Sequence, residues 1–141
     1  MGLIEWARTR SPWVLHFNTG SCNGCDIEIE AAFAPKYDLE RFGILRKGSP
    51  RHADLLAVTG AVTRQAKDRL IRLHEQMPSP KHVVAIGSCA ASGAPFIGSY
   101  NLYGGVDKVL PVDAYVPGCP PKPEAIIQGL LKIIGRQDES K

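Results

Sequence analysis

Short apolar runs alternate along the chain with longer segments in which apolar residues recur every three or four positions. Runs of the first kind are typical of buried strands, and the longer spacing is typical of amphipathic helices. The sequence therefore predicts strands at 13–17, 53–60, 82–87 and 112–116, with a weaker strand at 37–44. It predicts helices at 26–34, 63–76 and 121–134.

The order of these elements predicts the fold class. The strand at 53–60 has a continuous apolar middle, which is typical of a parallel sheet covered on both faces. In the helix at 63–76, Ala66, Leu70 and Leu73 share one face, and Thr63 is placed to cap the first turn. Strands that alternate with helices predict an α/β fold, with an open, mostly parallel sheet and helices on both faces.

The chain length of 141 residues predicts one domain. We expect an N-terminal segment at 1–12 that docks or is flexible, a folded domain at 13–134 and a polar tail at 135–141. The Gly-rich stretch 90–108 predicts a long loop that covers or docks something.

Charge and hydropathy exclude some classes of function. A net charge of +3 gives no case for nucleic-acid binding. No apolar run approaches the roughly 20 residues of a membrane span, and the first residues lack the pattern of a signal peptide. We therefore expect a cytoplasmic chain, in which cysteines stay reduced and free to bind metal.

The chain contains four cysteines, each beside Gly, Ser or Pro. Cys22 and Cys25 follow the strand at 13–17, Cys89 follows the strand at 82–87, and Cys119 follows the strand at 112–116. Because ligands of such sheets gather beyond the carboxyl ends of the strands, the sequence predicts that the four thiols converge on one site.

Spacing alone leaves three interpretations of these cysteines. Four thiolates select zinc or an iron–sulfur cluster. Structural zinc usually takes two short Cys-x-x-Cys pairs, whereas here one pair is followed by two single cysteines, which favours a cluster. The step Cys119-Pro120 also occurs in ferredoxin motifs. A third interpretation is that Cys89 or Cys119 is a small buried apolar residue without metal.

Several motifs resemble a known superfamily. The segment Ser21-Cys-Asn-Gly-Cys-Asp-Ile-Glu28 resembles the proximal-cluster motif of [NiFe] hydrogenase small subunits. Three further segments, at 49–60, 87–89 and 115–124, resemble the B-type subunit of respiratory complex I. The resemblance covers residues 13–134 and implies a flavodoxin-like fold that holds one [4Fe–4S] cluster. The ligands that it implies are Cys22, Cys25, Cys89 and Cys119.

The residues between Cys22 and Cys25 separate two branches of that superfamily. The B-type subunits of complex I carry adjacent tandem cysteines at this point, whereas Cys-Asn-Gly-Cys is the hydrogenase form. Conventional uptake hydrogenases carry further C-terminal cysteines for two more clusters, and this sequence has cysteines for one. The resemblance therefore implies the small subunit of an energy-converting, membrane-bound (group 4) [NiFe] hydrogenase. The alternative is the B-type subunit of a complex I-like quinone- or sulfur-reducing oxidoreductase.

The same resemblance implies a role and a set of partners. The chain would relay electrons from the clusters of a ferredoxin-like polyferredoxin subunit to the NiFe centre of a large subunit, where protons are reduced to H2. Membrane subunits would complete the complex, and the chain would lie as a peripheral subunit on the cytoplasmic face of the membrane. No nucleic acid is implied.

Glutamates and histidines are the other candidate residues. Glu28, three residues after Cys25, matches a family glutamate implicated in proton movement, so the resemblance implies possible proton transfer. A carboxylate that stabilises a helix N-terminus is the alternative. Glu30 is expected to face solvent. The histidines show no ligand pairing and are predicted to be structural; they are His16, His52, His74 and His82.

Overall fold

The computed structural model describes residues 2–135, which form a five-stranded parallel sheet and a small antiparallel pair. The parallel strands are β1 (Trp13–Asn18), β2 (Leu45–Arg46), β3 (Leu55–Thr59), β5 (His82–Ile86) and β7 (Ala114–Val116). The antiparallel pair is β4 (Val62–Thr63) with β6 (Leu102–Gly104). The helices are α1 (Leu3–Arg10), α2 (Gly24–Phe33), α3 (Arg64–Gln76), α4 (Ser88–Ser92) and α5 (Pro123–Ile133).

The strand order confirms the predicted fold class. The sheet runs β2-β1-β3-β5-β7, with every pairing parallel. If the five strands are counted along the chain, this order is 2-1-3-4-5, the flavodoxin-like arrangement. Every residue of β3 is buried, because the strand is central and both of its faces are covered, as its continuous apolar run predicts.

Each face of the sheet packs on its own pair of helices. On one face Val14, Ala57 and Val84 lie in a core with residues of α2 and α5. On the other face Leu15, Leu56 and Val83 lie in a core with residues of α3 and α4. Successive residues of a strand point to opposite faces, so each strand contributes to both cores.

Helix α3 begins as its sequence predicts. The Thr63 side chain accepts a hydrogen bond of 3.2 Å from the backbone N–H of Ala66, which satisfies one of the unpaired donors of the first turn. The buried residue of this helix is Leu70, from the predicted apolar face.

The second strand is not where the sequence predicts it. The prediction at 37–44 is wrong: residues Leu39–Phe42 form a short 3₁₀ helix, and the strand is Leu45–Arg46. Asp38 and Gly43 on either side of that turn have positive φ angles of 45° and 83°, which an extended strand does not allow. The apolar residues that suggested a strand are buried in the core under α2 and α5.

The stretch 90–108 is more ordered than a simple loop. It includes most of α4 and the strand β6, which pairs with β4. Ala90 and Val106 are fully buried, so the stretch packs as a layer over the α3 face of the sheet.

The ends of the chain are described in part. The N-terminal segment contains α1, with Leu3, Ile4 and Trp6 exposed. Of the predicted polar tail, 136–141 lies outside the described residues. No helix within residues 2–135 is long and apolar enough to cross a bilayer.

Candidate metal centre

The cysteines lie at the carboxyl edge of the parallel sheet. Cys22 and Cys25 follow β1, Cys89 lies in α4 just after β5, and Cys119 follows β7. Cys22 and Cys119 are exposed, and the thiols of Cys25 and Cys89 are partly buried. The loops therefore leave the sheet at the edge that the sequence predicts.

Residues 21–26, which we call the cysteine hook, turn sharply from β1 into α2. Asn23 has a positive φ of 70° and precedes the first residue of the helix, Gly24. Asparagine tolerates this left-handed conformation better than most residues. A β-carbon at Gly24 would lie 3.5 Å from the Sγ of Cys22, so the turn keeps that thiol close to the backbone.

The other two cysteines lie in segments 87–92 and 117–121, which we call the loop pair. These segments are joined by backbone hydrogen bonds: Gly87 N–H donates to the Val116 carbonyl at 2.8 Å, and Ser88 N–H donates to the Gly118 carbonyl at 2.9 Å. The Ser88 hydroxyl adds a bond of 3.2 Å to the Gly118 carbonyl. The Cys119–Pro120 peptide bond is cis.

Glycine at position 87 brings the hook and the loop pair together. Gly87 has a φ of +91°, and a β-carbon there would lie 2.5 Å from the Sγ of Cys25. No side chain larger than hydrogen fits this space without moving the thiol. We call the space between the Gly87 backbone and the thiol of Cys25 the cradle.

The thiols lie within electrostatic reach of one another. Burial, followed by the charges of the other three cysteines and of Asp26, raises the pKa of Cys25 to about 11. Burial and the charges of Cys119 and Cys22 also raise the pKa of Cys89. A bound cation would offset this repulsion, because thiolates ligate metal only after they lose their protons.

The donor set fits an iron–sulfur cluster, which cysteine thiolates hold. Among residues 2–135, no three His, Cys, Asp or Glu side chains lie close enough together to hold a single metal ion. The thiols thus share one edge of the sheet without surrounding a single point. Their role as ligands stays a prediction.

A polar network next to Cys25 was missed by the sequence interpretation. Asp26 accepts hydrogen bonds from His16, Asn18, Ser21 and Thr59. His16 was predicted to be structural, and the structure pairs its Nε2 with Asp26 Oδ1 at 2.9 Å. The sequence feature that could have predicted this network is a pair of polar residues, His16 and Asn18, near the carboxyl end of an otherwise apolar strand.

The two glutamates of α2 have different surroundings. Glu28 is partly buried, and its carboxylate makes no hydrogen bond or ion pair within the part of the chain that the structure describes. Glu30 is exposed, as predicted, and forms an ion pair with Arg46. The proton-transfer role of Glu28 stays a prediction.

Comparison with known proteins identifies the family. The profile of the family described as "NADH ubiquinone oxidoreductase, 20 Kd subunit" matches residues 22–133. The "Probable membrane-bound hydrogenase subunit mbhJ" of Pyrococcus furiosus is 57% identical over 122 residues, which is 86% of this chain and 73% of that protein. The B-type subunit of NADH-quinone oxidoreductase from Bacteroides thetaiotaomicron is 50% identical, over 93% of this chain and 66% of that protein.

Solved structures share the fold of this chain. A chain of the membrane-bound sulfane sulfur reductase, an archaeal respiratory membrane complex, superposes with a TM-score of 0.83 at 40% identity, covering 97% of this chain and 76% of that one. A chain of an NAD+-reducing [NiFe]-hydrogenase superposes with a TM-score of 0.69 at 17% identity, over 92% and 94% of the two chains, and shares the fold. This chain therefore belongs to the family of the 20 kDa subunit of NADH:ubiquinone oxidoreductase, whose members are subunits of oxidoreductase complexes.

Proposed function

We propose that the chain is the electron-transfer small subunit of a membrane-bound [NiFe] hydrogenase complex. It would hold one [4Fe–4S] cluster through Cys22, Cys25, Cys89 and Cys119. The observation that carries the proposal is the position of these thiols at one carboxyl edge of the sheet, where burial and the charges of the other three raise the pKa of Cys25. The hydrogenase form of the hook, Cys-Asn-Gly-Cys, and the similarity to a hydrogenase subunit support it further.

The residues of the site would have distinct roles. When bound, such a cluster takes up and releases single electrons at a potential set by its surroundings. The cysteines supply the ligands from three loops, and Gly87 leaves room for the thiol of Cys25. The partly buried positions of Cys25 and Cys89 limit the access of water to one side of the site.

Partners would cover exposed apolar side chains that follow the cysteines in the sequence. Ile27, Phe96, Ile97 and Tyr100 are exposed, and they follow the cysteines of the hook and of α4 along the chain. We assign these side chains to contacts with the NiFe-bearing large subunit. A polyferredoxin subunit would supply electrons, and membrane subunits would hold the complex on the cytoplasmic face of the membrane, with α1 docked against them. Relatives named as subunits of membrane-bound complexes support this arrangement.

Glu28 would move protons near the large subunit. It is a partly buried carboxylate without a partner among residues 2–135, and a carboxylate in such a position can exchange protons with a neighbouring subunit. Glu28→Gln should slow H/D exchange by the complex while the electron paramagnetic resonance (EPR) spectrum stays unchanged. Unaltered exchange would leave Glu28 as a helix-start residue.

Metal analysis of the complex purified without oxygen tests the proposal. We expect about four irons and about four sulfides for this chain, together with nickel in the co-purified large subunit and H2 evolution from reduced ferredoxin. One zinc per chain without sulfide would overturn the cluster. Iron and sulfide without nickel would overturn the hydrogenase assignment.

The second candidate is a complex I-like subunit that serves quinone or sulfur reduction. Similarity to a sulfane sulfur reductase chain at 40% identity and to the B-type subunit of NADH-quinone oxidoreductase favours it. Reduction of a sulfur compound or a quinone by a nickel-free complex would establish this candidate in place of the first.

A further inference from the structure

Asp26 accepts more hydrogen bonds from side chains than any other carboxylate among residues 2–135. Its Oδ1 accepts from the Thr59 hydroxyl at 2.6 Å and from His16 Nε2 at 2.9 Å. Its Oδ2 accepts from Asn18 Nδ2 and, at 3.4 Å, from the Ser21 hydroxyl. The carboxylate is thus surrounded by donors although it directly follows Cys25 in the chain.

Three of these four donors come from two neighbouring strands of the sheet, β1 and β3. His16 and Asn18 belong to β1, and the fully buried Thr59 ends β3. The side chains of His16 and Asp26 are only 11% and 19% exposed. Hydrogen bonds to an ionised group are stronger than those between neutral groups, and more so where water is partly excluded. Asp26 therefore fixes the start of α2 to the carboxyl ends of both strands.

With Asp26 ionised, the contacts of His16 Nε2 require a proton on this nitrogen. The Thr59 hydroxyl has one hydrogen, which it donates to Asp26. An ionised carboxylate accepts only. The Nε2 of His16, which faces both oxygens, must therefore be a donor, and Thr59 lies between the imidazole and the carboxylate as both donor and acceptor.

The same network extends into the cysteine hook. Asn18 Oδ1 accepts from the backbone N–H groups of Gly20 and Ser21, both at 2.8 Å. The Ser21 hydroxyl accepts from the N–H of Asn23 at 2.9 Å. Side chains thus satisfy backbone donors of the hook and of Gly20 just before it, and Asn18 links them directly to the carboxylate of Asp26.

We propose that Asp26, held by His16 and Thr59, is the positioning residue of the cysteine hook and sets the negative charge beside the group that the hook binds. Asp26 is not a ligand in this proposal, which rests on the proposed cluster site. Its hydrogen bonds fix the orientation of Cys22 and Cys25, and its charge disfavours the addition of an electron next to it. Net charge and hydrogen bonding near a cluster are among the properties that set its potential.

The test compares two substitutions that each remove one negative charge from α2. Asp26→Asn removes the charge and replaces an acceptor that faces Asn18 with an amide. Glu30→Gln removes the charge of an exposed carboxylate whose partner is Arg46, and it serves as the control. A second pair of substitutions distinguishes the loss of the hydrogen-bond donor at position 16 from the change in side-chain shape. His16→Gln keeps a nitrogen donor, and His16→Leu removes it.

Three measurements test the variants. They are the reduction potential from EPR titration, the EPR line shape, and the alkylation rates of Cys22 and Cys25 by mass spectrometry. The two EPR measurements use the full chain in its purified complex, and the alkylation measurement uses the reduced chain without metal. We expect Asp26→Asn to move the potential to more positive values, to alter the line shape and to speed alkylation of the hook several-fold. Glu30→Gln should stay near wild type, and His16→Gln should restore what His16→Leu changes.

Equal shifts in Asp26→Asn and Glu30→Gln would overturn the proposal, because the effect would then be one of general charge. Unchanged potential and alkylation in Asp26→Asn would also overturn it. A wild-type chain that binds no iron or sulfide would instead overturn the proposed function. The alkylation comparison in the metal-free chain would still decide whether Asp26 positions the hook, since it needs no cluster.

Discussion

The cysteine hook and the loop pair each carry two cysteines, but different interactions hold them in place. The hook is held by side chains: Asn18 and Ser21 satisfy its backbone donors, and Asp26 ties it to two strands. The loop pair is held by backbone hydrogen bonds between adjacent segments, Gly87 to Val116 and Ser88 to Gly118.

This difference separates what the fold determines from what single residues determine. Backbone bonds form wherever the parallel strands β5 and β7 are adjacent, whichever side chains are present. The position of the hook depends on particular side chains, so substitutions there can change the site while the sheet stays folded. We expect variants of the hook to change the properties of a bound group, and variants of the loop pair to change whether the group binds.

The largest effect is expected where the two regions meet, in Gly87→Ala. The new β-carbon would lie 2.5 Å from the Sγ of Cys25, at a φ of +91°. The strained backbone alone costs about 1–3 kcal/mol, and the thiol must move. Iron content per chain should fall strongly, together with a lower free energy of unfolding in urea.

Gly48→Ala is the matched control for this substitution. Its β-carbon would meet no atom within 4 Å, and its φ is not in the left-handed region. Iron content should stay at the wild-type level, with stability unchanged or slightly raised. Full iron content in Gly87→Ala would show that the cradle can widen and would contradict the close packing of Cys25.

A smaller effect is expected from Thr59→Val, which removes the hydroxyl that donates to Asp26 at 2.6 Å and leaves a side chain of similar shape. A hydrogen bond to a charged group contributes about 1.5–3 kcal/mol. Urea unfolding of the metal-free chain should show a loss in this range. Iron content should be retained, and a large loss of iron would contradict the separate roles of the two regions.

The sequence was sufficient to predict the fold class and the edge of the sheet at which the cysteines lie. Apolar runs such as the one in β3 indicate a strand wherever it sits, and parallel strands bring the loops that follow them to one edge. The strand predicted at 37–44 is wrong because buried apolar residues occur in strands and in compact turns alike. The positive φ angles at Asp38 and Gly43 prevent an extended strand there. The spacing of apolar residues does not reveal a single positive φ angle at a residue such as Asp38.

The polar network around Asp26 could not be predicted in the same way. Its partners His16, Asn18 and Thr59 lie up to 43 positions apart in sequence. Each of them separately is an ordinary residue at a strand end. Only the register, which pairs His16 with Ala57 and Asn18 with Thr59, brings them to one carboxylate.

The ionisation of Cys25 probes how close the two regions lie. Burial and the charges of cysteines from both regions raise its pKa to about 11, from an ordinary value of 9.0. In the metal-free chain the alkylation rate of Cys25 should therefore increase with pH, following a titration curve whose midpoint lies near pH 11. Replacing Cys89 and Cys119 by Ser should lower that midpoint while burial, the largest cause, keeps it above 9.0. An unchanged midpoint would place the loop pair out of electrostatic reach.

The sign of the linked stability follows from the same shift. The folded chain favours the protonated thiol of Cys25, so the unfolded chain loses its proton first as pH rises. The stabilisation is complete below pH 9.0 and is lost between pH 9.0 and about 11. Urea midpoints of the metal-free chain should fall across this window, and Cys25→Ser should make that fall smaller.

The smallest effect is expected from Ser88→Ala in the loop pair. The Ser88 hydroxyl donates to the Gly118 carbonyl at 3.2 Å, but the backbone N–H of the same residue already donates to that carbonyl at 2.9 Å. The carbonyl therefore keeps a partner when the hydroxyl is removed, and the loss should be about 0.5–1 kcal/mol. Urea unfolding measures this loss, while iron content and reduction potential should match wild type. A shift in potential as large as that expected for Asp26→Asn would mean that side chains also position the loop pair, and the contrast between the two regions would fail.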